Sequence, residues 1–102
     1  MKRSKKKIES LMEAIRRSLD SGNYLDTRHA HERQEERRIT RPEVLYVLRY
    51  GHHEAKKDRF DEPFKAWNYA VRGKTIDRRD LRIIVSFDES AMLIITAIEI
   101  GR

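Results

Sequence analysis

Residues 40–51 read TRPEVLYVLRYG and residues 65–72 read KAWNYAVR, and the change of apolar period between them decides the fold. In the first stretch Thr40-Arg41-Pro42-Glu43 is a capping box with proline in the first turn, and Ile39 before it is placed to staple onto Val44. Val44, Leu45, Val47 and Leu48 then give a helix that Gly51 closes. In the second stretch the residues alternate. Lys65, Trp67, Tyr69 and Val71 share one strand face, with Ala66, Asn68, Ala70 and Arg72 on the other.

Towards the N-terminus, Ile8, Leu11, Met12, Ile15 and Leu19 recur at three- and four-residue spacing. They predict an amphipathic helix ended by Ser21-Gly22-Asn23, residues suited to a left-handed cap. A second helical segment, capped by Asp26 or Thr27, runs through residues 29–37 with almost no apolar stripe, so burial of its own face cannot hold it. Towards the C-terminus, Leu81, Ile83, Val85 and Phe87 form the buried face of another strand. Residues 92–100 are apolar on both faces, as in a central strand covered on each side or one packed near an interface. Turns at residues 77–80 and 88–90 join these strands as hairpins, and a weaker strand near residues 53–59 precedes them. The expectation is an α+β domain with two to three N-terminal helices packed on an antiparallel sheet of three to four strands.

A chain of 102 residues holds one core and no second one, which excludes a multidomain enzyme. With no cysteine there is no disulfide framework, thiol nucleophile or thiolate zinc site. The longest apolar run, Ala91 to Ile98, falls far below a membrane span, and a cytoplasmic location fits best. The formal net charge is +6. Lys2, Arg3, Lys5, Lys6 and Lys7 carry five of those six charges, so residues 1–7 are read as a basic tail and residues 8–102 as the domain. Such a tail either grips phosphates nonspecifically or is a solvated, frayed end, and the second reading is favoured. Within the domain, residues 65–82 hold Lys65, Arg72, Lys74, Arg78, Arg79 and Arg82 against Asp77 and Asp80, and any nucleic-acid surface should draw on this stretch.

Thr27-Arg28-His29-Ala30, Glu36-Arg37-Arg38-Ile39-Thr40 and Glu43-Val44-Leu45 with Leu48 resemble a family of small prokaryotic proteins known as domain of unknown function 4258. Its pattern is a Thr then His-Ala, an Arg four residues after the His, Glu-Arg-Gly-Ile-Thr, a helix ending in Gly, and strands ending in an Ile-Ile-Thr-like segment. His29, Arg33, Glu36, Arg37, Ile39, Thr40, Gly51 and Ile94-Ile95-Thr96 match, over roughly residues 10 to 100. Arg38 stands where the family usually has Gly. The family in turn resembles RelE-like toxins, whose helix pair on an antiparallel sheet is shared with barnase-like, metal-independent ribonucleases. Its genes often neighbour a zinc-finger antitoxin of the MqsA kind. The resemblance therefore implies a toxin that cleaves messenger RNA, on the ribosome or free, and an antitoxin protein that covers its cleft.

His29, Arg33 and Arg37 stand four apart, so on a helix they line one face within reach of one another. Like charges at that spacing repel by roughly 0.2 to 0.5 kcal/mol per pair unless an anion lies across them. Cleaving RNA without metal needs a base for the 2′-hydroxyl, cations for the charge on phosphorus, and an acid for the departing 5′-oxygen. His29 suits acid or base, with Arg33 and Arg37 as the anion clamp. The plainer alternative is a salt-bridged helix surface in which Arg28 pairs with Glu32, Arg33 with Glu36, and Arg37 with Glu36 or a residue across the fold. From the sheet, Tyr69, Arg72, Lys74 and Arg82 are the polar residues expected to face the same cleft and bind RNA or phosphate. Trp67 and Tyr69 either stack on a base or pack at the edge of the core. Ser86 and Thr96 read as polar sheet positions, since no His-acid pair lies at a recognisable spacing.

The pairs His29/His31 and His52/His53 diverge on a helix or an extended segment, so no metal or other cofactor is expected. Two other readings compete with the nuclease. One is a non-catalytic module that binds RNA or a protein with the same face. The other is an assembly protein whose last strand pairs with a second copy to form a homodimer.

Overall fold

The computed structural model describes residues 6–101. The first apolar stripe folds as α1 (Leu11–Ser21), which buries Leu11 and Ile15 and ends at Gly22 with φ 73°. A three-residue strand follows, β1 (Tyr24–Asp26). Thr27 then caps α2 (Arg28–Arg37), its side chain accepting the Ala30 N–H at 3.1 Å. Arg38 closes α2 at φ 54°, so this arginine adopts the left-handed turn that glycine takes at no steric cost. Helix α3 (Arg41–Tyr50) opens on the expected capping box: Thr40 Oγ1 accepts the Glu43 N–H at 3.3 Å and Glu43 Oε1 accepts the Thr40 N–H at 2.9 Å.

After Gly51 come β2 (His52–His53), one 3₁₀ turn (Ala55–Lys57), β3 (Arg59–Asp61), β4 (Ala66–Lys74), β5 (Asp80–Phe87) and β6 (Met92–Glu99). The sheet runs β1-β6-β5-β4-β2, with β3 also on β4, and is antiparallel except for β1 beside β6. It thus has six strands among the described residues rather than three to four. The additional ones are two or three residues long, too short to display an alternation in sequence. β2 and β3 are the two ends of one edge strand, interrupted by the 3₁₀ turn where Glu54 donates its N–H to Ala70 O and Asp58 Oδ1 accepts the Ala70 N–H.

One face of the sheet carries the core. Tyr69 and Val71, Leu81, Ile83 and Val85, and Met92, Ile94 and Ala97 pack there with Leu11, Ile15, Ala30, Ile39, Val44, Val47 and Leu48 from the helical side. The step from Ile94 to Ala97 is a bulge: Val85 pairs with Ile94 and Ile84 with Thr96, leaving Ile95 unopposed and shifting the alternation by one. β1 pairs only with residues 92–94, and beyond them α2 takes over that edge. Thr27 N–H donates to Ile94 O, Thr27 Oγ1 to Ile95 O, and Arg37 Nη1 to Ala97 O. Helix α2 is thus fastened to β6 by polar contacts, as its weak apolar stripe requires. No helix among the described residues is long and apolar enough to cross a membrane.

Residues 1–5 of the expected basic tail lie outside the described residues. Lys7, its last member, is docked: Nζ lies 3.0 Å from Asp58 Oδ2 and 4.6 Å from the centre of the Trp67 ring.

Candidate nucleic-acid interface

The strand face opposite the helices is built from the other half of each alternation. Asn68, Ala70, Arg72 and Lys74 lie there from β4, Arg82, Ile84 and Ser86 from β5, and Thr96 and Ile98 from β6. Register carries His52 onto the same face, because it stands directly opposite Arg72, and Glu54 reaches Arg72 and Arg82 from two residues further on. A cleft of about 300 Å³ opens between Lys57, Arg59, Asn68, Arg82, Ile84 and Ile98. Across this open face Lys57, Arg59, Arg72, Lys74 and Arg82 are met by Glu54 and Asp80, and the Arg72–Lys74 end is bordered by Arg78 and Arg79 with Asp77 and Glu99, so cations outnumber carboxylates along it.

Two carboxylates hold the central guanidiniums in place. Arg82 donates from Nε to Glu54 Oε1 at 2.7 Å and from Nη2 to Oε2 at 3.1 Å, while Arg72 Nη1 reaches the same Oε2 at 3.2 Å. Arg72 also donates from Nη2 and Nε to the two oxygens of Asp80, at 2.8 and 3.1 Å. The Arg82 bonds hold Glu54 below the usual carboxylate range; burial opposes them, and Arg72 adds to the depression. Asp80 is lowered for the same reason, chiefly by Arg72. At the far end of the sheet Arg79 clamps Glu43 and Glu99 and donates to the Arg38 carbonyl, tying the α2–α3 turn to β5 and β6. Burial pushes Glu43 upward, but the Thr40 N–H and Arg79 outweigh it and leave the group lowered.

These three shifts fix a sign for acid stability. The folded pKa of each group lies below its ordinary value, near 4.5 for Glu43 and Glu54 and 3.8 for Asp80. The folded state therefore binds fewer protons than the unfolded one. The stability these groups contribute is complete above those ordinary values and is lost as pH falls through the folded ones. The melting temperature is expected to drop between about pH 5 and about pH 3, and to drop less steeply in Glu54→Gln. Equal slopes for the two proteins would remove Glu54 from this account.

The α2 row lies at one border of the face. Ala30 and Gln34 are buried towards the core. At about 100° per residue, Arg37, Arg33 and His29 stand in successive steps of about 40° away from that stripe, in the sense that passes the β6 edge. Arg37 spends one nitrogen on the Ala97 carbonyl at 2.8 Å, and Arg33 pairs with Glu36 at 2.6 Å. The Arg33 side chain keeps only 34% of its exposure while Arg28, paired with Glu32 at 3.5 Å, keeps 93%, so Arg33 lies against the protein and Arg28 does not. His29 is exposed. The row thus sits at the β6 rim, whereas the cleft beside Arg82 is lined from β3, β4, β5, β6 and the 3₁₀ turn without α2.

Of the sheet residues expected to share one cleft, Arg72, Lys74 and Arg82 do share a face and Tyr69 does not. Tyr69 has the opposite pleat: it is 2% exposed in the core, and its hydroxyl accepts the Ile8 N–H at 2.8 Å. Burial raises the pKa of that hydroxyl. Trp67 shares the Tyr69 side, packed edge-on against Phe60 beneath Lys7. Ser86 is buried and donates to Trp67 O at 2.8 Å. Among the described residues no three His, Asp or Glu side chains gather around one point. Glu54 and His52 are the members of this face that reading by sequence motif overlooks. The available signal is that they alternate in an extended segment beside a strand carrying Arg72, and its meaning depends on a register that only the folded sheet supplies.

An α+β domain with helices over one face of a mostly antiparallel sheet, and a cationic open face behind it, is the class of protein that these features define. The chain belongs to the family described as domain of unknown function (DUF4258), whose model matches residues 27–99. The match begins at the α2 cap and ends with β6, leaving α1 outside. No curated protein and no solved structure matches the chain.

Proposed function

We propose that this protein is a metal-independent endoribonuclease of the RelE-like toxin kind, acting on messenger RNA in the cytoplasm. One observation carries the reading: an open sheet face on which Lys57, Arg59 and Arg82 line a cleft with Ile84 and Ile98, and Arg72 and Lys74 line a second depression further along the same face. A single RNA strand suits such a surface, since its phosphates meet guanidiniums while its bases lie on apolar side chains. Arg33 and Arg37 at the β6 rim extend the cationic track where the strand leaves the sheet, and the exposed His29 side chain stands beside them. An antitoxin protein, of the zinc-finger kind that accompanies the family, would neutralise the toxin by covering the same face.

Induction of the wild-type chain in bacteria is expected to arrest growth, and His29→Ala and Arg33→Ala each to relieve the arrest. Normal growth with the wild type would overturn the toxin reading, and full toxicity in both variants would remove the α2 row from the site. A second reading, a module that binds RNA without cutting it, is favoured by one feature. Arg33, Arg37, Arg72 and Arg82 already hold protein acceptors. Intact RNA bound in a salt-sensitive manner would support that alternative.

A further inference from the structure

We infer that Glu54 and His52 are the proton-transfer pair of this site, Glu54 taking the proton from a ribose 2′-hydroxyl and His52 protonating the departing 5′-oxygen, an assignment that rests on the RNA reading of the open face. Cross-strand register supplies the juxtaposition. His52 stands opposite Arg72, and Arg72 stands opposite Arg82, so an imidazole and two guanidiniums form a row across three strands. Directly opposed residues on one face have Cβ atoms about 5 Å apart. Glu54 lies two residues beyond His52 in the same edge segment, on the same side, and its carboxylate bridges both arginines.

The Glu54 carboxylate occupies the place a phosphate would take. Its two oxygens accept three hydrogen bonds from Arg72 and Arg82, the fork pattern with which guanidiniums also hold phosphate. A scissile phosphate drawn onto the pair displaces the carboxylate sideways without expelling it from the site. Residues two apart in extended chain are about 7 Å apart, which leaves room for a phosphorus centre between base and acid. The displacement also sharpens the base. Once the phosphate shares the guanidiniums, Glu54 loses part of what holds its proton affinity down. Glu54 is largely sheltered, with 16% of its side chain exposed, whereas His52 faces solvent and is free to meet the leaving group.

The reaction balances with these groups alone. The 2′-oxygen gives its proton to Glu54 and forms a bond to phosphorus. The bond from phosphorus to the 5′-oxygen breaks, and protonated His52 supplies the proton that turns this oxygen into a hydroxyl. Arg72 and Arg82 stabilise the charge that gathers on the two non-bridging oxygens. The products are a 2′,3′-cyclic phosphate and a 5′-hydroxyl end.

The test uses the full chain and a labelled single-stranded RNA with chelator present, comparing wild type, Glu54→Gln and His52→Ala by dissociation constant and single-turnover rate. Both variants are expected to lose at least about 100-fold in rate, with RNA binding unchanged in His52→Ala and unchanged or tighter in Glu54→Gln. A substrate with sulfur in place of the scissile 5′-oxygen needs no acid, so it should restore the rate in His52→Ala and leave Glu54→Gln slow. Wild-type-like cleavage by either variant overturns the pair while the RNA reading survives. Failure of the sulfur substrate to rescue His52→Ala overturns the acid role. Intact RNA with the wild type overturns both the pair and the nuclease. If Glu54→Gln does not fold, His52→Ala decides the matter by itself, because its side chain is exposed.

Discussion

Arg82→Ala is expected to lower RNA cleavage by about 100- to 1,000-fold, the loss typical of removing one preorganised donor to a developing oxyanion. The reason lies in its position rather than its charge alone. Arg82 projects from the central β5, keeps only 18% of its side-chain exposure, and is held from Nε and Nη2 by a single carboxylate. Its guanidinium therefore costs little further ordering when it meets a phosphate. Arg78, exposed in the β4–β5 turn, carries the same formal charge and no such fixation, so Arg78→Ala should change the rate by less than about threefold. Affinity should report the same difference. For a single strand, each lost phosphate contact reduces the slope of log affinity against log salt by about 0.7, and Arg82→Ala should show that reduction. Equal losses in the two variants would mean that overall charge, not the ordered pair, binds RNA.

Gly51→Ala is the substitution expected to damage the fold most for its size. A Cβ at residue 51 would lie 2.6 Å from the Arg72 carbonyl oxygen and 2.6 Å from that of Val47, both backbone atoms, so no side-chain rotation relieves the clash. The end of α3 would have to lift from β4. We expect a loss of about 3 kcal/mol, seen as a melting temperature lower by roughly 10–20 °C. Gly73→Ala, whose Cβ would meet Gly51 Cα at 3.0 Å and Val47 Cγ1 at 3.4 Å, should cost less. Gly22→Ala should cost about 1 kcal/mol, because space there is open and only the left-handed φ of 73° opposes the methyl. If Gly51→Ala melts no lower than Gly22→Ala, the tight crossing of α3 over β4 is not as described. The crossing also matters to the site, since Gly51 precedes His52 and sets the start of β2 against Arg72.

The helices were legible because their signals are local. The capping box at Thr40 and Glu43, the left-handed Gly22 and the Thr27 cap each act within a single turn. So were the main hairpins, whose alternation runs over eight or nine residues. β1 was not legible, because three residues between two helices show no period and pair with β6 only through tertiary packing. The strand near residues 53–59 divides into β2 and β3 for a similar reason: Asp58 and Glu54 bond to β4 in place of a continuous ladder. The bulge at Ile95 explains why residues 92–100 look apolar on both faces, since the inward side changes partway along.

The candidate site was legible only in its cations. Arg72, Lys74 and Arg82 fall on the outward pleat of strands that the sequence outlines well. Tyr69 is polar as they are, yet its odd-numbered position shares the pleat of Val71 and turns it into the core. Glu54 and His52 carry no motif. Their relation to Arg72 and Arg82 exists only across strands, Glu54 bonding them over separations of 18 and 28 residues. His29, Arg33 and Arg37 do line one side of α2, but the β6 edge takes one nitrogen of Arg37 and Glu36 takes one of Arg33.

The most direct test of the central claim is to map RNA ends in cells after induction of the wild-type chain and of Arg82→Ala. New 5′-hydroxyl ends within messenger RNA for the wild type, absent for Arg82→Ala, are the predicted result. No new ends, or the same ends with Arg82 removed, would contradict the assignment of RNA cleavage to the open face of the sheet.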